Sequence, residues 1–217
     1  MTDRVVTIID LSQAIAMGMP VYPGTEPVFV DKVATLVGQG YAEKRITFNS
    51  HTGTHIDAPS HIIAGGMNLA SFSLAFFTGP ACVVDIDRQH SGCVELAELL
   101  RAEQHIAGSE FVLLRSGWSR FWGTADYFDN YPVLSSEAAK WLSLFPLKGV
   151  GIDMISVDAV ADTNYSNHRT LLARNILLIE NLTNLATLPS ANFTFSCLPL
   201  KIADADGAPV RAVALLT

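Results

Sequence analysis

Short runs of apolar residues, rather than long amphipathic stretches, dominate the pattern of this chain. Short apolar or alternating runs bounded by turn residues are typical of strands, whereas apolar residues three or four positions apart are typical of helices. These patterns predict strands over residues 5–11, 28–37, 44–50, 81–86, 110–116, 149–154, 176–179, 193–198 and 210–215. They predict helices over residues 94–105, 135–145 and 168–174, the second capped by Ser135 or Ser136 and the third by Asn167.

Several predicted strands follow one another without a helix between them. A purely parallel doubly wound sheet needs a helical crossover between successive strands, so this order argues against one. It predicts an α/β fold with a mixed sheet and a second β-layer from the N-terminal third. No linker or repeat divides the sequence, which predicts a single domain over residues 1–217.

Composition and charge narrow the classes of function. Hydrophobic residues make up 49% of the chain and charged residues 16%, which predicts that some apolar surface is buried in an oligomer. The net charge of −7 argues against nucleic acid or an anionic membrane as a partner. Cys82, Cys93 and Cys197 lack CxxC spacing, and the apolar run at the N-terminus is too short for a signal sequence, so a reducing, cytoplasmic location is predicted.

Three of the six histidines fall within residues 49–61, together with a carboxylate. His51, His55 and Asp57 stand at odd positions, so in an extended segment their side chains would point to one side. Gly53 disfavours a helix here. Three nitrogen and oxygen ligands without a thiolate suit a divalent ion such as Zn²⁺ or Mn²⁺ and leave coordination positions open, as catalysis requires. The alternative is a loop whose polar side chains are satisfied by hydrogen bonds.

The remaining histidines differ in their surroundings. His90 in a polar turn and His105 at the end of an amphipathic helix are predicted to be surface residues. Glu180 follows four consecutive large aliphatic residues, so it is an ionisable group at the mouth of a buried strand and needs a cation. That cation is either an arginine or a second metal ion shared with His168. The candidate arginines are Arg115, Arg169 and Arg174.

Two loops carry aromatic residues that are candidates for a pocket wall. Residues 17–27 hold three prolines and two glycines, which predicts a fixed loop around Tyr22. Such a loop either presents the tyrosine to a site or is a structural turn. Residues 117–123 form an aromatic loop that contains Trp118.

The segment His51-Thr-Gly-Thr-His55-Ile-Asp57-Ala-Pro-Ser-His61 closely resembles the signature of the cyclase-like metal-dependent hydrolases. That family includes bacterial kynurenine formamidase (arylformamidase) and isatin hydrolase. The likeness covers nearly the whole chain, and its other parts are residues 20–24, 114–118, 156–158, 168, 180, 199–201 and 207–212. The resemblance implies a swivelling β/β/α fold and a homo-oligomer, either a dimer or a tetramer.

The resemblance also implies a site for two divalent ions, Zn²⁺ or Mn²⁺. The implied ligands are His51, His55, Asp57, His168 and Glu180. Asp57 would bridge the ions, His168 would hold the second, and Glu180 would contact both. In the family pattern His61 is a proton donor and acceptor rather than a ligand.

The implied reaction is cleavage of the C–N bond of a small amide, in the first place an aryl formamide, by a metal-bound hydroxide. Metal lowers the pKa of bound water toward about 7, and His61 would protonate the leaving amine. Tyr22 stands where kynurenine formamidase usually has tryptophan, so Tyr22 and Trp118 are the candidate substrate-binding residues. The alternatives are hydrolysis of isatin or another small cyclic amide or ester, a non-catalytic metal-binding protein on the same scaffold, and a dinuclear phosphoesterase.

Overall fold

A computed structural model describes residues 6–87 and 92–216 of the chain. Its strands are β1 (Thr7–Asp10), β2 (Phe29–Ala34), β3 (Glu43–Thr47), β4 (His55–Asp57), β5 (Thr78–Asp85), β6 (Cys93–Val94), β7 (Phe111–Arg115), β8 (Val133–Leu134), β9 (Gly149–Ile152), β10 (Leu177–Glu180), β11 (Phe193–Ser196), β12 (Gly207–Pro209) and β13 (Val213–Leu216). Its helices are α1 (Leu36–Gln39), α2 (Leu96–Leu100), α3 (Glu103–Ala107), α4 (Ser136–Leu142) and α5 (Ser166–Leu172).

Within the described ranges, nine strands form one sheet in the order β1-β13-β11-β5-β7-β9-β10-β4-β12. The four central strands β5, β7, β9 and β10 run parallel, and the strands on either side pair antiparallel. This confirms the predicted mixed α/β sheet. The N-terminal third contributes the β2–β3 hairpin as a separate two-stranded sheet, and β6 and β8 form another small sheet.

The central strands are buried on both faces, which explains their continuous apolar runs. Alternate residues point to opposite sides of the sheet. Cys82 and Val84 of β5 therefore pack against the layer of α2, α4 and α5, whereas Ala81 and Val83 pack in a second core with β11 and β13. The helices thus cover one face of the sheet, and the second core lies on its other face.

The longest helices, α4 and α5, each span seven residues. A membrane-crossing helix needs about 20 apolar residues. No helix in residues 6–87 and 92–216 is therefore long and apolar enough to cross a bilayer.

Four local predictions need correction. The strand predicted over 28–37 ends at Ala34, because Thr35 caps the short helix α1 that follows. The single helix over 94–105 is two short helices, because Glu95 and Glu98 form a capping box that starts α2 and Ala102 leaves helical geometry before α3. Asn167 lies inside α5 and does not cap it; its amide donates to the carbonyls of Leu134 and Val157. The strand over 210–215 begins only at Val213.

Two surface predictions have different outcomes. His105 is exposed in α3, as expected for a residue at the end of an amphipathic helix. His90 lies outside the described residues.

Candidate metal centre

The histidine segment opens into a cavity of about 400 Å³ at one side of the sheet. Its polar and charged walls include His51, His55, Asp57, His61, Ser156, His168, Glu180 and Asn181. Its apolar and aromatic walls include Pro20, Val21, Tyr22, Ile62, Ile155 and Tyr165. One cavity therefore contains every residue that the sequence proposed as a ligand or a proton carrier.

Strands β4 and β10 place three of these side chains together. The two strands pair antiparallel, with Glu180 opposite His55 and Leu178 opposite Asp57. His55 and Asp57 are two residues apart in β4, so they share a face of the sheet, as the sequence predicted. Ile56 between them points to the opposite face and is buried in the second core.

His51 reaches the same point by a different route. The prediction of one extended segment over 51–57 is wrong, because only residues from His55 onward are in a strand. The chain turns at Gly53, whose φ of +64° is a left-handed conformation that glycine adopts readily. This turn folds the half-buried His51 back onto the strand, where its Nδ1 lies 2.7 Å from Asp57 Oδ1.

Asp57 and Glu180 each direct their two oxygens to different histidines. Asp57 Oδ1 lies 3.3 Å from His55 Nε2, whereas Oδ2 lies 3.5 Å from His168 Nε2. Glu180 Oε2 lies 3.5 Å from His55 Nε2, and Oε1 lies 3.5 Å from His168 Nε2. The carboxylates therefore stand between two groups of possible ligands, His51–His55–Asp57 on one side and Asp57–His168–Glu180 on the other.

These residues fit divalent cations by geometry and by chemistry. Nitrogen and oxygen ligands about 2.0–2.1 Å from a tetrahedral Zn²⁺ are about 3.3 Å apart, close to the spacings above. Glu180 Oε1 is buried and has no hydrogen-bond partner among the described residues. A buried carboxylate oxygen without a partner is costly, and a cation between Glu180 and His168 would satisfy it.

The arginines that offered another partner for Glu180 are engaged elsewhere or solvent-exposed. Arg115 makes a two-pronged contact with Asp85, at 2.6 and 2.8 Å. Arg169 donates to the backbone carbonyls of Asn164 and Ile62. Arg174 is exposed on the surface.

His51, His55 and His168 each point one ring nitrogen at Asp57 or Glu180. The other ring nitrogen of each histidine has its own hydrogen-bond acceptor. Asp158 holds His168 Nδ1 at 2.7 Å, and the Gly53 carbonyl holds His55 Nδ1 at 2.9 Å. Asp206 Oδ2 lies 3.1 Å from His51 Nε2. Such partners fix the tautomer and the ring orientation of metal-binding histidines.

The roles of these acceptors were not predicted, although two of them lie in or beside segments that resemble the family. Asp158 belongs to segment 156–158, and Asp206 immediately precedes segment 207–212. Asn181, which follows Glu180 directly, donates to the Gly53 carbonyl at 2.8 Å and accepts from the Tyr127 hydroxyl at 2.7 Å. Only the fold brings Asn181 to Gly53, so spacing along the chain gave no signal for this contact.

Burial and the neighbouring carboxylates shift the pKa values of several groups in the cluster. Burial disfavours the charged form of His51, but the neighbouring Asp57 and Asp206 outweigh it and raise its pKa to about 9. Burial raises the pKa of Glu180, and the charge of Asp57 raises it further. Burial lowers the pKa of His61. The neighbouring carboxylates therefore favour the charged form of His51, whereas burial disfavours the charged forms of His61 and Glu180.

The aromatic candidates occupy different places. Tyr22 is half-buried and lines the metal-centre cavity, as does Tyr165. Trp118 lines a neighbouring cavity, and its indole N–H donates to the carbonyl of Tyr127. The structure thus brings Tyr22, but not Trp118, to the histidine cluster.

Comparison with known proteins gives consistent results. Residues 9–159 match the family model described as "Putative cyclase". A kynurenine formamidase of Erythrobacter litoralis is 34% identical over 95% of this chain and 92% of its own length. A kynurenine formamidase of Bacillus anthracis is 32% identical over 94% of this chain and 95% of its own length.

Solved structures share the fold. Isatin hydrolase A of Ralstonia solanacearum superposes with a TM-score of 0.85 at 26% identity, covering 98% of this chain and 92% of its own. A predicted metal-dependent hydrolase of Bacillus stearothermophilus superposes with a TM-score of 0.80 at 27% identity, covering 98% of this chain and 99% of its own. With a family match over most of the chain and close relatives over nearly all of it, the chain belongs to the cyclase family of metal-dependent hydrolases.

Proposed function

We propose that this chain hydrolyses the C–N bond of a small aryl amide, with an aryl formamide as the first candidate substrate. Its family membership makes it a metal-dependent amidohydrolase. The observation that carries the proposal is the pair of buried carboxylates in an aromatic-walled cavity, where Asp57 faces three histidines and Glu180 faces two. Kynurenine formamidase relatives support the formamide.

We assign the ligands as two groups that share Asp57. His51, His55 and Asp57 would hold one divalent ion, and Asp57, His168 and Glu180 would hold the other. Zn²⁺ and Mn²⁺ both suit this set of imidazoles and carboxylates. A divalent ion bound there lowers the pKa of a coordinated water and polarises a carbonyl oxygen.

His61 is the candidate proton carrier. Its side chain is 30% exposed and lies beside the ligands, with its ring stacked on His51 at 3.9 Å between centroids. It follows β4 on a short 3-10 turn that begins at Pro59 and lines the cavity. His61 forms a third cluster with His51 and Asp206 and belongs to neither group that contains Asp57. From there His61 can deliver a proton to the nitrogen of the departing amine, which leaves poorly as an anion.

Tyr22 is the candidate contact for the aryl ring of the substrate. Aromatic rings in a cavity stack on planar ligands and exclude water. Tyr165 also lines the cavity, so two tyrosine rings are available to contact a planar substrate. The role of Trp118 in substrate binding stays a prediction, since its ring lines the neighbouring cavity.

A neutral cyclic amide such as isatin is the second candidate, and a specific observation favours it. Among the described residues that line the cavity there is no lysine or arginine. A substrate with an amino-acid carboxylate would therefore lack a cationic side chain in the wall, whereas a neutral planar amide needs none. The same feature weighs against a phosphoesterase, because phosphate binding normally uses basic side chains.

The test combines metal analysis with parallel assays. Protein purified under metal-replete conditions is expected to contain close to two equivalents of divalent metal. It should then hydrolyse formanilide, N-formylkynurenine or isatin, each followed by absorbance. Absence of bound metal would refute the proposal, and turnover of isatin alone would move the assignment to cyclic amides.

We also propose that the chain is a cytoplasmic homo-oligomer, a dimer or a tetramer. The β2–β3 hairpin is a two-stranded sheet with apolar side chains in solvent, and such a sheet is marginally stable by itself. Phe29 is 50% exposed, Ile46 51% and Val37 101%. Sedimentation velocity should give a mass that is a multiple of 23.4 kDa, and a monomer would contradict the proposal.

A further inference from the structure

Asp206, in the segment just before β12, touches both a proposed metal ligand and the proposed proton carrier. Its Oδ2 lies 3.1 Å from His51 Nε2 and 3.6 Å from His61 Nδ1. The rings of His51 and His61 stack with an interplanar angle of 35°. One carboxylate therefore faces two stacked imidazoles with different proposed roles.

The backbone fixes Asp206 in this place. Its carbonyl accepts a hydrogen bond from Ala58 N at 2.8 Å, and the next residue, Gly207, pairs with Asp57 in the ladder between β12 and β4. Main-chain bonds thus lock Asp206 to the strand that carries two of the ligands.

Asp158 provides an internal comparison. It contacts one imidazole, that of His168, and also accepts from the backbone N–H groups of Asn167 and His168. The other histidine in the cluster, His55, is held by the backbone carbonyl of Gly53. Among the described residues that orient the cluster, Asp206 is the one that reaches both a ligand and His61.

We propose that Asp206 is a positioning residue that couples the metal centre to the proton carrier. By accepting from His51 Nε2, it turns His51 Nδ1 toward Asp57 and the ion. By attracting the Nδ1–H of His61, it leaves His61 Nε2 as the nitrogen that faces the substrate. The second half of this inference rests on the proposed function, whereas the first half concerns metal binding alone.

The first experiment measures zinc affinity by competition with a chromophoric chelator. Asp206→Asn removes the negative charge but keeps the size of the side chain, and loss of such a partner weakens metal binding by about 10–100-fold. Asp158→Asn should show a loss of the same order. Asp162→Asn is the matched control, because the Asp162 carboxylate accepts from the backbone N–H groups of Asn164 and Ser166 in the loop that leads into α5. Unchanged zinc affinity in Asp206→Asn would overturn the His51 half.

The second experiment compares leaving groups at saturating zinc. Formanilide needs protonation of its departing nitrogen, whereas phenyl formate releases a stable phenolate. Asp206→Asn should lower kcat for formanilide at least about tenfold more than for phenyl formate, since general-acid contributions are about 10²–10⁴-fold. Asp158→Asn, which acts on the metal centre alone, should lower both rates equally. Equal losses in Asp206→Asn would overturn the His61 half.

A third measurement decides the His61 half if the wild type hydrolyses neither compound, an outcome that would refute the proposed formamidase activity itself. In the zinc-loaded protein, the NMR signal of His61 Cε1–H can be assigned by its loss in His61→Ala. Asp206→Asn should move this signal, and Asp162→Asn should leave it in place. A His61 signal that does not move in Asp206→Asn would show that Asp206 does not position His61.

Discussion

Gly207 lies directly against the imidazole of His51. A Cβ atom at this position would come within 2.8 Å of Nε2 and 2.9 Å of Nδ1, closer than side chains approach one another. Because Gly207 is paired with Asp57 in the sheet, the backbone cannot retreat, and the ring must move. A glycine is therefore required next to the metal centre.

We predict that Gly207→Ala weakens zinc binding at least tenfold and destabilises the fold by about 1–3 kcal/mol, the usual cost of overpacking. Chelator competition and urea unfolding measure the two effects. Gly108→Ala is the control, because a Cβ at Gly108 meets only ordinary contacts beyond 3.5 Å, far from the site. Wild-type zinc affinity in Gly207→Ala would show that His51 is not a ligand.

Asp57 and His61 should separate metal binding from turnover. We predict that His61→Ala retains its metal but loses about 10²–10⁴-fold in kcat, the usual contribution of general acid–base catalysis. Asp57→Ala should lose the metal, because Asp57 faces three histidines. Metal content by mass spectrometry and the amide assay distinguish the two variants. An empty site in His61→Ala would make His61 a ligand instead.

At this scale the sequence predicted the members of the cluster better than their arrangement. His55 and Asp57 share a face because strand periodicity is local. His51 joins them only through the left-handed turn at Gly53. A glycine permits this backbone conformation, but its presence in the sequence does not predict it. The contacts of Asp158 and Asp206 depend on strand order and loop path, which no local pattern encodes.

Arg115 shows how one element is anchored to its neighbours. It ends β7, contacts Asp85 at the end of β5, and donates from Nη1 to the carbonyls of Leu185 and Leu188 at 2.9 and 3.0 Å. The loop after β10 is thereby tied to the centre of the sheet. Arg115 belongs to a segment that the sequence analysis quoted for its family resemblance, and the structure gives it an anchoring contact.

We predict that Arg115→Ala destabilises the protein by about 1–3 kcal/mol, because the carbonyls of Leu185 and Leu188 each lose a charged donor. Thermal unfolding measures the effect. Arg120→Ala is the control, since exposed Arg120 lies over the ring of Phe121 and should contribute little. Equal stability of the two variants would contradict the anchoring role.

The ion pair between Arg115 and Asp85 should make the stability of the protein depend on pH. The hydrogen bond from Arg115 lowers the pKa of Asp85 below its ordinary value of 3.8. A lowered pKa in the folded state gives stability above the unfolded pKa, and this stability disappears as pH falls through the folded value. The difference in stability between wild type and Asp85→Asn should therefore be constant near neutral pH and vanish below about pH 3.8. A difference that grows in acid would contradict this assignment.

The sequence predicted the fully buried strands well. It predicted helix boundaries less well, because capping side chains determine where a helix begins and ends. The central strands β5, β7, β9 and β10 match the apolar runs, because strands buried on both faces carry an unmistakable pattern. The single helix predicted over 94–105 is wrong at two points. The capping box of Glu95 and Glu98 starts α2 at Leu96, and the non-helical backbone of Ala102 separates α2 from α3. Such breaks depend on side-chain hydrogen bonds that hydrophobic periodicity does not report.

At the scale of the whole molecule, the metal centre places two carboxylates in the interior. Charged residues make up only 16% of the chain. Asp57 is 1% exposed and Glu180 5%, and the described ion-pair partners of Glu180 are two histidines. Burying a carboxylate beside another one costs stability unless a cation compensates it. The folded state is therefore expected to need its metal for stability as well as for chemistry.

We predict that Glu180→Gln makes the metal-free protein more stable, by about 1–3 kcal/mol, because burial and the charge of Asp57 both disfavour the Glu180 carboxylate and glutamine keeps the shape of the side chain. The same change should weaken metal binding, so added zinc should raise the unfolding temperature of the wild type far more than that of Glu180→Gln. Glu110→Gln is a control at the surface, where Glu110 pairs with Lys148, and it should follow the wild type in both states. If Glu180→Gln were less stable than the wild type without metal, the charge of Glu180 would be serving the fold, and a purely metal-binding role for it would be wrong.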